Sequence, residues 1–316
     1  MQSGTTRKII IDTDPGQDDA AAILLALASP ELDILGITTV AGNVPLDWTT
    51  RNALIICELA GRDDIPVYAG AHGPLTRPLV TAEHVHGKTG LDGPLLDEPV
   101  LKLQDEGAVD FIIRTLRAEE AGTVTLCALG PLTNLALALQ KAPEIAGRIA
   151  EIVLMGGGFF EGGNITPAAE FNIYVDPEAA DVVFRAGVPI VMMPLDVTHK
   201  VLTTRARTEA IAALPSKATQ ALAEMLVFFE RFDEQKYGSD GAPLHDPCVI
   251  AYLLRPDLFS GRVCNVEIET ASELTRGMTV VDWWHVTDRL PNATVMRDVD
   301  AAGFFDLLTD RLATYS

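Results

Sequence analysis

Residues 9–28, IIIDTDPGQDDAAAILLALA, determine the fold that we expect for this chain. The stretch opens with three consecutive isoleucines, and such a run is typical of a strand buried on both faces in a parallel sheet. Pro15 and Gly16 then break regular structure, and the alanine- and leucine-rich segment behind them is a strong helix former. The pattern predicts a strand, a tight loop and a helix, which is the repeating unit of an α/β fold.

Four aspartates crowd that loop: Asp12, Asp14, Asp18 and Asp19. Open α/β sheets bind ligands at the carboxyl ends of their strands, where this loop lies. The four like charges repel one another, and a hard cation such as Ca²⁺ or Mg²⁺ would offset that repulsion. The alternative is a helix N-terminus whose acids stabilise the positive end of the helix dipole. It explains Asp18 and Asp19 but not Asp12 and Asp14, so we expect a cation site.

Composition excludes several classes of partner. The 316 residues are 48% hydrophobic and carry a formal net charge of −20. So acidic a chain repels nucleic-acid phosphates and anionic membranes, and we expect neither as a partner. No apolar run approaches the roughly 18 residues of a membrane span, and the start lacks the apolar segment of a signal peptide. We therefore expect a cytoplasmic protein with a small-molecule substrate.

The four cysteines lie far apart and form no C-x-x-C pair, so a zinc site has no support. Buried, reduced thiols are the simplest interpretation. Their positions are Cys57, Cys127, Cys248 and Cys264.

Strand and helix patterns alternate along almost the whole chain. This alternation predicts an α/β fold with an open, mainly parallel (mixed) sheet, helices on both faces, and one domain over residues 1–316. Polar residues again follow predicted strands: Asn43 after the second, and Thr133 and Asn134 after the strand at 124–129. Asn43 alone would be interpreted as a turn residue.

Residues 70–100 are rich in Gly, Pro and His and carry His72, His84 and His86. A loop this long inside a compact domain is usually functional or disordered. We interpret it as an active-site flap, with a plain solvated loop as the alternative.

The loop after the predicted strand at 149–155 begins with three glycines but does not match G-x-G-x-x-G, because Glu161 occupies the sixth position from Gly156. A dinucleotide site is therefore not expected. The same loop brings Asn164, Glu170 and Asn172 together, and these side chains are suited to gripping hydroxyl groups. It ends at Asp176-Pro177, a helix cap with proline at the first helical position.

His245 and Asp246 precede Pro247 at the start of a short apolar helix. Asp246 is either a plain helix cap or part of an active-site pair with the histidine. A group of aromatic residues just before this point contains core residues and one or two candidates for a pocket wall: Phe228, Phe229, Phe232 and Tyr237.

With these segments in view, the sequence resembles the nucleoside hydrolases, the inosine-uridine preferring nucleoside N-ribohydrolase family. The matching segments run in the family's order over nearly the whole chain. They are DTDPGQDDA (12–20), AGN (41–43), HGKTGL (86–91), GPLTN (130–134), LMGGG (154–158), GN (163–164), EFNIYVDPEAA (170–180) and HDP (245–247). The resemblance implies a Rossmann-like fold, one Ca²⁺ per subunit, and a homodimer or homotetramer. It also implies hydrolysis of ribonucleosides, pyrimidine nucleosides or inosine, to ribose and free base, in salvage or catabolism.

The resemblance also implies roles by position. The implied Ca²⁺ ligands are the carboxylates of Asp14, Asp19 and Asp246 and the backbone carbonyl of Thr133. Asp14 is implied as the general base for a metal-bound water, and His245 as a candidate general acid facing the leaving base. The implied substrate-binding residues are the ribose-holding Asp18, Asn43, Asn164, Glu170, Asn172 and Asp246, with Met155 lining the ribose site and His86 on the flap. Asp12 is better interpreted as support for the loop.

The chemistry of these residue types agrees. N-glycosidic cleavage passes through an oxocarbenium-like sugar cation, which carboxylates stabilise.

Two alternative functions compete with this interpretation. A strand ending in D-x-D also opens the haloacid-dehalogenase phosphatases, with Asp12 as nucleophile and Mg²⁺, although Pro-Gly and a second acid pair argue against them. A non-catalytic Ca²⁺- or nucleoside-binding protein is the other. His245 fits the inosine/uridine and pyrimidine branches better than the purine-specific one, where aromatic stacking on the base is more prominent.

Overall fold

The computed structural model describes residues 6–237 and 240–316, with backbone only for residues 233–237. The side chain of the aromatic candidate Tyr237 therefore lies outside the described residues. The strands, in chain order, are β1 (Arg7–Thr13), β2 (Leu32–Thr39), β3 (Val67–Ala69), β4 (Val124–Ala128), β5 (Ile149–Met155), β6 (Ile190–Met193), β7 (Leu202–Thr203), β8 (Ala242–Pro243), β9 (Phe259–Cys264), β10 (Val266–Ile268), β11 (Thr279–Val281) and β12 (Ala293–Val299). The helices are α1 (Gln17–Leu27), α2 (Leu46–Leu59), α3 (Glu83–His86), α4 (Ala108–Ala118), α5 (Thr133–Lys141), α6 (Phe171–Val175), α7 (Pro177–Phe184), α8 (Leu195–Thr198), α9 (Arg205–Ala212), α10 (Lys217–Tyr237), α11 (Pro247–Leu254) and α12 (Ala301–Leu312).

Eight of the described strands form one sheet in the order β3-β2-β1-β4-β5-β6-β12-β9. Neighbours pair in parallel except β9, which runs antiparallel to β12 at one edge. The predicted open, mainly parallel mixed sheet is therefore confirmed. The short strands β7 with β8, and β10 with β11, form two separate antiparallel pairs.

The direction in which strands are added reverses between β1 and β4. The chain first builds outward from β1 through β2 to β3, and then returns to the other side of β1 and continues from β4 to β6. Loops that leave β1 and β4 diverge at this switch point, which opens a crevice at the carboxyl ends of the strands. The acid loop after β1 lies at this crevice.

The isoleucine run of β1 is buried because both faces of the sheet are covered. Ile9 and Ile11 belong to the core formed with α1, α2, α10, α11 and α12, whereas Ile10 belongs to the core formed with α4, α5 and α7. All three are at most 1% exposed. Successive side chains of a strand point to opposite faces, so only a continuous apolar run fills both cores.

The cysteines agree with the sequence interpretation: Cys57, Cys127, Cys248 and Cys264 are all free thiols and all buried. In the described part of the chain, no helix combines the length and apolar character required to cross a membrane.

Candidate active site

Asp14 leaves the end of β1 at the switch point, between the loops that follow β2 and β4. Gly42 and Gly130 flank its carboxylate so closely that a Cβ at either position would overlap it. Oδ2 accepts a hydrogen bond from the backbone N–H of Asn43 at 2.7 Å, while Oδ1 is buried without a partner among the described residues. The fold therefore holds the Asp14 carboxylate by one oxygen and leaves the other available.

Asp18, Asp19 and Asp246 form a buried cluster beside Asp14, with one oxygen from each lying within 4.8 Å of the others. Asp19 is held by the hydroxyl of Thr13 and by the N–H of Gly16, the latter at 2.9 Å. Oδ1 of Asp18 has no hydrogen-bond partner in the described chain. Three buried carboxylate oxygens of the acid loop, on Asp12, Asp14 and Asp18, thus lack the partner that buried polar atoms normally have.

Burial is the largest cause that raises the pKa of each of these four carboxyls, because removal from water disfavours the charged form. Repulsion adds to it: the charge of Asp19 helps raise the pKa of Asp18 to about 8. None of the described residues that line the cleft is Lys or Arg. The donors are all oxygens and the uncompensated charge is negative, so the cluster fits a hard divalent cation.

The predicted ligand set overlaps this cluster without matching it. Asp19 and Asp246 lie in both, but Asp18, predicted to hold ribose, completes the close group of three, with Asp14 beside it. Thr133 is the first residue of α5, and its hydroxyl donates to Oδ2 of Asp176 at 2.7 Å. That bond anchors the loop after β4, and metal binding by the Thr133 carbonyl stays a prediction.

Asp12 supports the loop. Its Oδ1 accepts hydrogen bonds from the Thr38 hydroxyl and from Nδ2 of Asn134 at 2.7 Å. Asn134 also donates to the carbonyl of Thr39 at 3.0 Å and so ties the ends of β1 and β2 to α5. Asp12 is 1% exposed and is not among the residues that line the cleft. Asp14 and Asp19 are not among the lining residues either, so the hydrogen bonds of Asp12 distinguish it: they tie β1 to β2 and α5, which argues for a supporting role rather than a phosphatase nucleophile.

Glu170 and Asn172 form a rigid polar wall of the cleft. The Glu170 carboxylate caps α6 by accepting the N–H groups of Asn172 at 2.9 Å and Ile173 at 3.4 Å, and it also accepts the N–H of Gly157 at 2.9 Å. The amide of Asn172 donates to the carbonyls of Leu129 at 2.7 Å and Met155 at 3.2 Å. Because the nitrogen is committed to backbone, the oxygen of this amide is the atom available to a ligand hydroxyl. Burial raises the pKa of Glu170 to about 7.

Asn164 and Met155 also line the cleft, as does Asn43. The Asn164 oxygen accepts the N–H of Phe171 at 2.9 Å, which orients the side chain. The amide nitrogen of Asn43 is used by the acid loop, since it donates to the Asp14 carbonyl at 3.1 Å and to Oδ2 of Asp19 at 3.2 Å.

Histidine and phenylalanine side chains form another part of the cleft lining. His86 stacks on Phe229 with ring centroids 5.4 Å apart, and Nδ1 of His86 lies 2.7 Å from Oε1 of Gln17. Burial, with a smaller contribution from His84, lowers the pKa of His86 to about 3, so the ring is neutral. His84 meets Phe232 edge to face at 5.5 Å.

Not every candidate from the sequence reaches the cleft. The structure places His84 and His86 of the predicted flap on the cleft wall, but His72 is not among the lining residues. Of the aromatic candidates, Phe229 and Phe232 line the cleft, whereas Phe228 packs under the guanidinium of Arg231 at 3.7 Å.

His245 also lines the cleft, directly before Asp246 in the sequence. Its Nδ1 is 2.7 Å from the hydroxyl of Thr198, and its ring centroid is 5.8 Å from that of His199. Burial lowers the pKa of His245 well below its usual value, and the nearby rings of His199 and His86 lower it further. The cleft therefore favours a neutral imidazole at this position.

The sequence interpretation assigned no role to Gln17 or to α8. Gln17 holds the flap, because its amide also donates to the His86 carbonyl at 3.0 Å. In α8, the buried Asp196 accepts the N–H groups of Phe159 and Phe160 at 2.9 and 2.8 Å, and Thr198 contacts His245. The available signal was position: the segment PLDVTH directly follows β6, at the ligand-binding edge of the sheet.

The space within the cleft is about 780 Å³ when its open mouth is included. The residues that line it are Asp18, Asn43, Ala82, His84, Val85, His86, Leu129, Met155, Asn164, Ile165, Glu170, Phe171, Asn172, His199, Phe229, Phe232, Pro243, His245 and Asp246.

Comparisons with known proteins match this chain to nucleoside hydrolases. Residues 9–306 match the model of the family described as inosine-uridine preferring nucleoside hydrolase. The chain is 57% identical over 305 residues to an uncharacterised protein of Schizosaccharomyces pombe, covering 96% of this chain and 98% of the relative. It is 53% identical over 309 residues to the pyrimidine-specific ribonucleoside hydrolase RihA of Shigella boydii, and the match covers 98% of this chain and 99% of the relative. Among solved structures, the purine-preferring ribonucleoside hydrolase of Gardnerella vaginalis superposes with a TM-score of 0.91 at 36% identity. The superposition covers 97% of this chain and 98% of that enzyme.

Proposed function

The chain belongs to the inosine-uridine preferring nucleoside hydrolase family and is a ribonucleoside hydrolase, and from this premise we propose that it cleaves pyrimidine ribonucleosides with one bound Ca²⁺ ion. Family membership removes the phosphatase and the non-catalytic binding protein as alternatives. The base preference and the identity of the metal ion are our proposals.

One observation carries the base preference. The relative named pyrimidine-specific shares 53% of its residues with this chain, whereas the purine-preferring enzyme shares 36%. The aromatic rings in the described cleft lining are those of histidines and phenylalanines, and His86 stacks on Phe229.

We propose that ribose binds against the polar side chains of the cleft lining. Asp18, Asn164, Glu170 and Asn172 line it together with Asp246, Asn43 and Met155. The Asn172 oxygen and the free oxygen of Asp18 are acceptors for sugar hydroxyls. Because the surrounding hydrogen bonds fix these groups before substrate arrives, the sugar is held in reacting geometry at little further entropic cost.

The reaction breaks the bond between C1′ of ribose and the base nitrogen and forms a bond from C1′ to a water oxygen. Positive charge develops on the sugar, and the buried carboxylates stabilise it. Asp14 is the proposed general base: its Oδ2 is held by the Asn43 N–H, and its unpartnered Oδ1 accepts the water proton.

Asp14, Asp19, Asp246 and the carbonyl of Thr133 are the residues we propose as Ca²⁺ ligands, with Asp18 close by. The ion supplies positive charge that offsets the crowded carboxylates and acts as a Lewis acid toward oxygen ligands. All-oxygen donors favour Ca²⁺ over Zn²⁺, which prefers His and Cys.

His245 is proposed to stabilise the departing base, which leaves with negative charge. The sequence suggested a general acid, but the cleft favours a neutral ring. A neutral imidazole still donates a hydrogen bond to developing negative charge, as in known enzymes that use histidine as an electrophile. The proposed role is therefore a hydrogen bond from the ring N–H to the base.

A side-by-side assay of uridine, cytidine, inosine and adenosine tests this function. We expect the highest kcat/KM for uridine or cytidine, and a higher value for inosine or adenosine would overturn the base preference. Chelation should abolish activity, and Ca²⁺ should restore it better than Zn²⁺; full activity without metal would refute the metal assignment.

We further propose that the enzyme forms a homodimer or homotetramer and serves nucleoside salvage or catabolism. Measurement of its mass in solution tests the assembly.

A further inference from the structure

Thr198 is the buried residue in contact with His245. It ends α8, is 0% exposed, and places its hydroxyl oxygen 2.7 Å from Nδ1 of His245. Its backbone is already bonded on both sides, because its N–H donates to the Pro194 carbonyl at 3.1 Å and its carbonyl accepts the N–H of Val201 at 3.0 Å. The hydroxyl is therefore the group through which Thr198 acts on a neighbour.

The direction of this hydrogen bond decides which ring nitrogen of His245 carries the hydrogen. The 2.7 Å distance fits either direction, since the Thr198 hydroxyl can donate to Nδ1 or accept a hydrogen bond from it. A neutral imidazole has one donor and one acceptor nitrogen, so if Nδ1 accepts, the hydrogen sits on Nε2. The described chain offers no hydrogen-bond partner to Nε2, and the His245 ring lines the cleft. When Nδ1 accepts, Nε2–H is therefore the donor that His245 offers to a ligand in the cleft.

We propose that Thr198 is a positioning residue for the hydrolysis: its hydroxyl donates to Nδ1 of His245 and so keeps the ring hydrogen on Nε2, facing the departing base. This inference rests on the proposed function, because it requires that His245 stabilises the base. Without the hydroxyl, the ring is free to adopt the other tautomer. Its Nε2 is then an acceptor, which repels the negative charge of the leaving base.

A purely structural role for Thr198 makes a different prediction. The same region contains Asp196, which fixes the loop that follows β5, and His199, which lies 3.5 Å from the Glu161 carboxylate. If Thr198 only supported this packing, its loss would slow every substrate equally. A role through His245 slows only substrates whose leaving group needs a hydrogen bond.

The experiment compares Thr198→Val and Thr198→Ser in the Ca²⁺-loaded enzyme on uridine and on p-nitrophenyl riboside, whose leaving group departs without a proton. For Thr198→Val we expect kcat on uridine to fall about tenfold to a hundredfold, as for loss of a buried hydrogen-bond partner, and kcat on the nitrophenyl riboside to fall less than about threefold. Thr198→Ser keeps the hydroxyl and should stay within about threefold of wild type on both. Thr208→Val is the matched control, since Thr208 is a buried helical threonine that donates to Glu230 at 2.6 Å outside the cleft lining.

Equal losses for Thr198→Val on the two substrates, or a uridine loss no larger than that of Thr208→Val, would overturn the inference. Nitrogen-15 NMR of labelled histidine gives an independent readout. We expect Nε2 of His245 to be protonated and Nδ1 unprotonated, and the reverse pattern would also overturn it. His245→Ala separates the two proposals. If it slows both substrates equally, the role of His245 itself fails; if it slows only uridine while Thr198→Val does not, only the role of Thr198 fails.

Discussion

The stability of the ion-free protein should depend on pH through the crowded carboxyls, and Asp18→Asn removes one of them. The folded state raises the pKa of Asp18 from 3.8 to about 8. A folded-state pKa above the unfolded value means that the folded state binds the proton more tightly. The stabilisation is then fully present below pH 3.8 and is lost as pH rises through about 8.

The size of the effect follows from that interval. One pKa unit is worth about 1.4 kcal/mol of folding free energy. The difference between the unfolded and folded pKa of Asp18 therefore corresponds to about 6 kcal/mol of stabilisation, of which about 4 kcal/mol is lost between pH 5 and pH 8. Unfolding entropies of about 2 cal/mol/K per residue convert 4 kcal/mol into about 6 °C of melting temperature for a chain of 316 residues. Asparagine does not titrate, so Asp18→Asn lacks this loss. The melting temperature of the variant minus that of wild type should therefore rise by about 6 °C from pH 5 to pH 8.

The assay is thermal unfolding of chelated wild type and Asp18→Asn at pH 5 and pH 8. Comparing the two proteins cancels the opposite contribution of His86, whose lowered pKa makes the folded state less stable at acid pH. Exposed Asp105→Asn serves as control and should show no such change. Added Ca²⁺ should raise the wild-type melting temperature more at pH 8 than at pH 5, because protons compete with the ion for the carboxylates. A difference between Asp18→Asn and wild type that stays constant within about 1 °C from pH 5 to pH 8 would refute the reasoning.

Three further outcomes are expected. Asp14→Asn keeps an oxygen for the Asn43 N–H but cannot accept the water proton, so kcat should fall by about 10²–10⁴-fold, and near wild-type turnover with metal bound would contradict the assignment. 2′-Deoxyuridine should be a poorer substrate than uridine by about 10⁴-fold in kcat/KM if Asp18 and Asn172 hold the 2′-hydroxyl; similar values would show that they do not. Gly130→Ala should lose most activity because its Cβ overlaps the Asp14 carboxylate, and a fully active variant would disprove that close approach.

The strands and helices that hold the candidate site residues were predictable because their signals are local. Hydrophobic runs, the Pro-Gly break after Asp14 and the proline after Asp246 act over a few residues, and each places an acid at the end of a strand or the start of a helix. The parallel sheet follows from the alternation of these elements, and it brings the strand ends to one edge whatever the details of packing.

Contacts within the site were decided by tertiary structure. Thr198 meets His245 across 47 residues, and Gln17 holds His86 across 69, with no local pattern that links either pair. The sequence places Asp14 on a loop, but only the approach of the β2 and β4 loops leaves one of its oxygens unpartnered. The physical reason is range: propensity and periodicity act between near neighbours, whereas the partner of a buried polar atom depends on which strand ends the packed sheet brings together.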